Sequence, residues 1–165
     1  MIDLSEVAGL PVAVEQDGHL RFLGPLPQME PDVRTLTAMR PILHETDAEG
    51  PREMYYMYRD VAASASDRSA IAEAGLRYDL TVLVPGRVGQ ERIKTYGHYH
   101  PVAPDGLPYP EVYQVLCGRA CYVLQRRATA GSDHVDDVVL IDAGPGDVVL
   151  MPPGYGHVTV NMGEE

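Results

Sequence analysis

Apolar and β-branched residues fall along this chain in short runs, not at helical spacing. The runs cover residues 10–14, 20–23, 54–58, 78–84, 112–116, 121–124, 138–141, 148–151 and 158–160, and most are bounded by Gly, Pro or Asp. Runs of about four to seven residues between such breakers predict strands joined by turns. One stretch, 67–74, has helical character: Asp67 is placed to cap it, and Gly75 to end it in the left-handed conformation. Many short strands with at most one or two short helices predict an all-β sandwich or barrel.

Composition narrows the function classes. At 165 residues the chain has the length of one domain, and no repeat or low-complexity linker divides it. Thirteen Lys and Arg against twenty-four Asp and Glu leave a net charge of −11, which argues against nucleic acid as a partner. With 45% apolar residues the chain is too hydrophobic to be disordered. Met1-Ile2-Asp3-Leu4-Ser5-Glu6 has neither the basic nor the apolar region of a secretory signal. No apolar run approaches the ~18–20 residues that span a bilayer. Cys117 and Cys121, spaced C-x3-C, read as small apolar strand residues kept reduced. A cytoplasmic protein without a membrane partner is the expectation. Charge is uneven, however. Residues 61–100 hold five basic and four acidic groups, with Arg87, Arg92 and Lys94 clustered before His98. A basic stretch in an acidic chain suggests a small anionic ligand.

The candidate chemistry follows that stretch, in Thr95-Tyr96-Gly97-His98-Tyr99-His100. On a strand, residues i and i+2 share a face, so two imidazoles would enter one space and suit a divalent first-row metal. Alone, H-x-H is a weak signal, and two ordinary histidines explain it as well. Downstream, Glu111 opens a strand that turns at Gly118, and a second block supplies Gly146, Pro152, Gly154, His157 and Asn161. His19, His44 and His134 lie outside these blocks and read as surface or capping residues.

The combination resembles the cupin superfamily. His98-x-His100 and Glu111-x6-Gly118 fit its first motif, although ten residues separate His100 from Glu111 and Arg92 stands where a Gly is usual. Its second motif, G-x5-P-x-G-x2-H-x3-N, is matched at every fixed position. Across residues 20–165 the chain is similar to cupin-type, metal-dependent glucose-6-phosphate isomerases. The segments that carry this are Leu80-Thr81-Val82-Leu83-Val84-Pro85-Gly86-Arg87-Val88-Gly89, Lys94 to His100, Glu111-Val112-Tyr113, Leu124-Gln125 and Val148 to Pro153. Residues 101–110 look like an insertion that some members carry.

The resemblance implies a cupin jelly-roll barrel as a single domain over residues 1–165. Residues 1–60 would form an N-terminal β extension and 77–165 the metal-binding barrel. It implies one divalent ion per chain held by His98, His100, Glu111 and His157, with Fe(II) first and Mn(II), Ni(II) or Zn(II) as alternatives. It also implies a sugar-phosphate substrate, with Thr81, Thr95 and Gly97 on the phosphate. Tyr113 and Tyr55 would line the substrate, although Tyr56 and Tyr58 compete with Tyr55 in the alignment. A homodimer is implied as well. Members continue past residues 161–163 with another strand and a substrate-contacting tyrosine, so a C-terminal truncation at Glu165 is expected. The implied reaction interconverts glucose 6-phosphate and fructose 6-phosphate, with Glu111 as ligand and base; a hydride shift is the rival mechanism. Two other readings stay open: a sugar-phosphate-binding cupin without turnover, and a metal cupin oxygenase.

Overall fold

The computed structural model describes residues 1–163. The expected truncation concerns the chain end at Glu165, which lies outside the described residues. Contacts gather in two compact units, Met1–Glu91 and Arg92–Glu165.

In the first unit, β1 (Ile2–Asp3), β2 (Val12–Val14) and β3 (Leu20–Phe22) form one antiparallel sheet. A second joins β4 (Asp32–Thr35), β5 (Glu53–Tyr58) and β6 (Leu80–Leu83) in that order. The central strand β5 buries Met54, Tyr55, Tyr56 and Tyr58, so its near-continuous apolar run reflects a strand covered on both faces. The Tyr58 ring meets Phe22 edge-on at 5.6 Å, while its hydroxyl accepts the Leu20 N–H at 2.9 Å. A buried tyrosine is thereby satisfied at its polar end.

Helices are more numerous than expected. α1 (Ser5–Ala8), α2 (Leu36–Met39) with a following 3-10 turn (Arg40–Ile42), and α3 (Ala65–Glu73) are all present. α2 starts where the Thr35 hydroxyl accepts the Ala38 N–H, a cap too short-lived in sequence to register as periodicity. For α3 the expected start is corrected. Ser64, in extended conformation, caps the helix by accepting the Asp67 N–H at 3.1 Å, and Asp67 sits inside the first turn. The far end is as read, with Gly75 left-handed at φ 68°.

A short two-stranded ribbon follows, of β7 (Arg87–Val88) and β8 (Glu91–Arg92). The second unit then contains β9 (Glu111–Gln114), β10 (Ala120–Arg127), β11 (Val135–Ala143), β12 (Val148–Met151) and β13 (Tyr155–Asn161). Their order is β11-β10-β13 in one sheet and β12-β9 in the other. β10 alternates cleanly, with Ala120, Tyr122 and Leu124 buried. These pack with Val149 and Met151 of β12, Ala143 of β11 and Val115, and with the partly buried Tyr113, Ile141 and Tyr155. Two antiparallel sheets packed over one apolar cluster agree with the all-β, cupin-type expectation, although no closed barrel is formed among the described residues. Val112, Val148 and Leu150 alternate to the outer face of β9 and β12 and are exposed.

Candidate metal centre

Two pieces of chain bring the three motif histidines together. Residues 93–98 lie antiparallel along β13, where Asn161 N–H donates to the Ile93 carbonyl at 2.8 Å and Thr95 N–H to the Thr159 carbonyl at 2.9 Å. Further along, His157 N–H donates to the His98 carbonyl at 3.1 Å. Lys94 bridges Val160 but His98 bridges His157, so the segment carries one more residue than β13 over this stretch. That is a bulge, and it re-aims the side chains that follow it. Within it the Thr95 hydroxyl accepts the Thr159 N–H at 2.9 Å, taking the place of a main-chain acceptor.

Glycines give the bulge its closeness. A Cβ on Gly97 would stand 2.8 Å from Val158 Cγ2, and one on Gly156 would strike the Tyr99 ring at 2.7 Å. Tyr99 thus lies flat across Gly156, its hydroxyl accepting from Gln125 Nε2 at 3.0 Å and its ring under Arg127 at 4.4 Å. Alternation turns His98 and His100 the other way, toward His157. On β13, His157 is buried after a Pro152-Pro153-Gly154 turn in which Gly154 takes φ 84°.

Glu111 comes from the other sheet, opposite Met151 on β12. One ligand atom from each of His98, His100, Glu111 and His157 lies within 4.8 Å of all the others. Glu111 Oε2 is 3.1 Å from His100 Nε2 and 3.2 Å from His157 Nε2. Yet Oε2 is buried and has no hydrogen-bond partner. Four electron-pair donors so close repel one another unless a proton or a cation lies among them. Three imidazoles and one carboxylate are a donor set for a divalent first-row ion, with coordination positions to spare on an octahedral metal. The residues fit the metal that the motifs imply.

Electrostatics prepare the same state. Partial burial, with the charge of His157 and then of His100, pushes the His98 imidazole below its ordinary value. Its lone pair is therefore free near neutral pH. Burial pushes the Glu111 carboxyl up, but His157, His100 and the Tyr113 hydroxyl together hold it below the usual carboxylate range.

The other expected site residues divide between the units. Tyr113, two residues along β9, points the same way as Glu111 and has its hydroxyl 3.5 Å from His157 Nε2. Thr95 and Gly97 lie on the bulged segment, and the room left by Gly97 is filled by Val158. Tyr55 and Thr81 belong to the first unit, on the adjacent strands β5 and β6. Tyr55 is 3% exposed, with Arg34 over its ring at 5.9 Å, whereas Thr81 is exposed. Sequence reasoning passed over Tyr109, whose carbonyl lies 2.7 Å from His100 Nδ1. Its only signal was a place between two prolines. Of the remaining histidines, His19 stacks on Tyr56 at 4.2 Å, and His44 and His134 are exposed. Both cysteines are free.

Residues 30–165 match the family model of glucose-6-phosphate isomerase (GPI). The glucose-6-phosphate isomerase of Thermococcus gammatolerans is 33% identical over 144 residues, covering 86% of this chain and 68% of that protein. Those of Pyrococcus furiosus and Thermococcus kodakarensis are 39% and 38% identical over 93 residues, which is 56% of this chain and 43% of each relative. The matched segment therefore spans less than half the length of those two relatives. With the motif histidines and Glu111 gathered at one point and more than half of the chain matched, this protein belongs to the cupin-type glucose-6-phosphate isomerase family.

Proposed function

We propose that the chain is a metal-dependent isomerase interconverting glucose 6-phosphate and fructose 6-phosphate. The observation that carries this reading is Glu111. One of its oxygens is buried among the histidines, while its side chain keeps 34% exposure. It can hold an ion and still meet a substrate.

His98, His100, His157 and Glu111 would hold the ion, Fe(II) before Mn(II), Ni(II) or Zn(II), in one equivalent per chain. When bound, the ion would act as a Lewis acid on the sugar carbonyl. The chain's own residues do the rest. Held ionised, Glu111 takes the proton from the hydroxyl-bearing carbon beside the carbonyl and returns it to the carbonyl carbon, while that hydroxyl's proton passes to the former carbonyl oxygen. Tyr113, on the same face of β9 as Glu111, would line the substrate. His98, kept neutral, adds no charge that would compete with the ion. Thr95 retains its hydroxyl proton as a donor to phosphate, since its oxygen already accepts from Thr159. The family resemblance would add the Gly97 main chain to the phosphate set; it also points to Thr81 and Tyr55, which lie in the first unit. The working assembly is a homodimer in the cytoplasm.

A coupled assay of the metal-replete protein for conversion of fructose 6-phosphate to glucose 6-phosphate tests the proposal. Metal-dependent turnover is the expected result. Binding of fructose 6-phosphate without turnover would leave only a sugar-phosphate-binding protein.

A further inference from the structure

Residues 101–110, between His100 and Glu111, fold as a miniature hairpin. Val102 bridges Pro108, Ala103 N–H donates to the Leu107 carbonyl at 2.7 Å, and Tyr109 N–H donates to the Pro101 carbonyl at 3.2 Å. At the tip, Asp105 Oδ1 accepts the Leu107 N–H at 3.1 Å. At the base, Tyr109 sits between Pro108 and Pro110. A following proline restricts the residue before it to extended conformations, so the Tyr109 carbonyl has little freedom of direction.

That carbonyl is 2.7 Å from His100 Nδ1. A carbonyl only accepts, so the contact is attractive only if Nδ1 carries the proton. The lone pair then lies on Nε2, the nitrogen 3.1 Å from Glu111 Oε2. The other two histidines are held less closely: His98 Nδ1 makes a longer contact, 3.4 Å, with the Tyr96 carbonyl, and His157 Nδ1 is buried without a partner.

We infer that the 101–110 hairpin is a positioning element for the metal centre. The main-chain carbonyl of Tyr109, aimed by Pro110 and by the bond to Pro101, sets the tautomer and ring orientation of His100 and keeps Nε2 free for the ion. This rests on the metal reading above and adds the part of the chain that orients one ligand. Outer hydrogen bonds of this kind are worth roughly 10- to 100-fold in metal affinity.

Protein labelled with 15N at histidine tests it in the metal-free state near pH 8. His100 is expected to carry its proton on Nδ1. Pro110→Gly frees the carbonyl and should give a mixture of His100 tautomers and an Mn(II) affinity lower by roughly 10- to 100-fold. Asp105→Ala, which alters only the hairpin tip, should change neither. The inference is overturned if Nδ1 of His100 bears no proton in the unaltered protein. It is overturned equally if Pro110→Gly keeps both the tautomer and the Mn(II) affinity. Should Pro110→Gly fail to fold, the tautomer of the unaltered protein still decides. Because the tautomer is read without metal, a protein that takes up no Mn(II) fails the metal reading while the hydrogen bond stands.

Discussion

β13 and β9 each bring one side chain to the same point, and they hold it very differently. His157 lies in a strand paired on one side with β10 and on the other with residues 93–98, and its side chain is 1% exposed. Glu111 opens a two-stranded sheet whose outer face is bare, and its side chain is 34% exposed. A strand held on both sides opens only with the whole sheet, whereas the start of a strand frays locally. The difference separates two duties of a metal centre. Under the proposed function, the buried His157 would keep the geometry and the accessible Glu111 would meet the substrate.

The largest effect expected from that division is at Glu111. Glu111→Gln keeps the shape and one oxygen but cannot accept a proton near neutral pH. Activity per bound metal should fall by about 10²–10⁴-fold. A value near that of the unaltered protein would make Glu111 a ligand only and favour the hydride shift. His157→Ala should act on the other duty, taking metal content from about one ion per chain to background by elemental analysis. Retention of metal would remove His157 from the ligand set.

Thr95 sharpens the comparison, since it ties the bulged segment to β13. Thr95→Val strands the Thr159 N–H at a cost of about 1–3 kcal/mol of stability. Loss of its donated bond should also raise the KM for fructose 6-phosphate by about 10- to 150-fold. Thr95→Ser should restore both. An unchanged KM in Thr95→Val would place the phosphate elsewhere. Gly97→Ala drives a methyl into Val158 and should lower stability by about 1–3 kcal/mol, with recovery when Val158→Ala is added. No recovery in the double variant would mean that Gly97 serves another purpose.

The smallest effect is in the pH dependence of the metal-free protein. His98 and Glu111 are both shifted down, so the folded state binds fewer protons than the unfolded one and stability rises with pH. The Glu111 part is complete above the ordinary 4.5 and is lost as pH falls through its lowered folded value. The His98 part is complete above 6.5 and is lost below it in the same way. Urea midpoints at about pH 7.5, 6 and 5 should decline in that order; a midpoint that rises on acidification contradicts both shifts.

Much of the site was legible because its marks are local. Two histidines at i and i+2 face one way on any extended chain, and Gly146, Pro152 and Gly154 announce the turn that delivers His157. Strand β12 starts and ends where its apolar run does, at Val148–Met151, because Gly146 and Pro152 bound the run on either side. Helices α1 and α2 were missed because four residues hold too little periodicity to show. The start of α3 was misplaced because Ser64 and Asp67 are both good caps, and only the observed donor, the Asp67 N–H, tells them apart.

The chain's own residues thus determined the all-β class, the turns and the four donors that share the centre. Tertiary structure decided how those donors are supported: the Thr95 hydroxyl standing in for a main-chain acceptor, Val158 filling the space beside Gly97, and the Tyr109 carbonyl turned onto His100. The reason is physical. A ligand's identity is written in its side chain, but every residue has a carbonyl and an N–H, so which of them meets a given side chain depends on where folding brings the backbone.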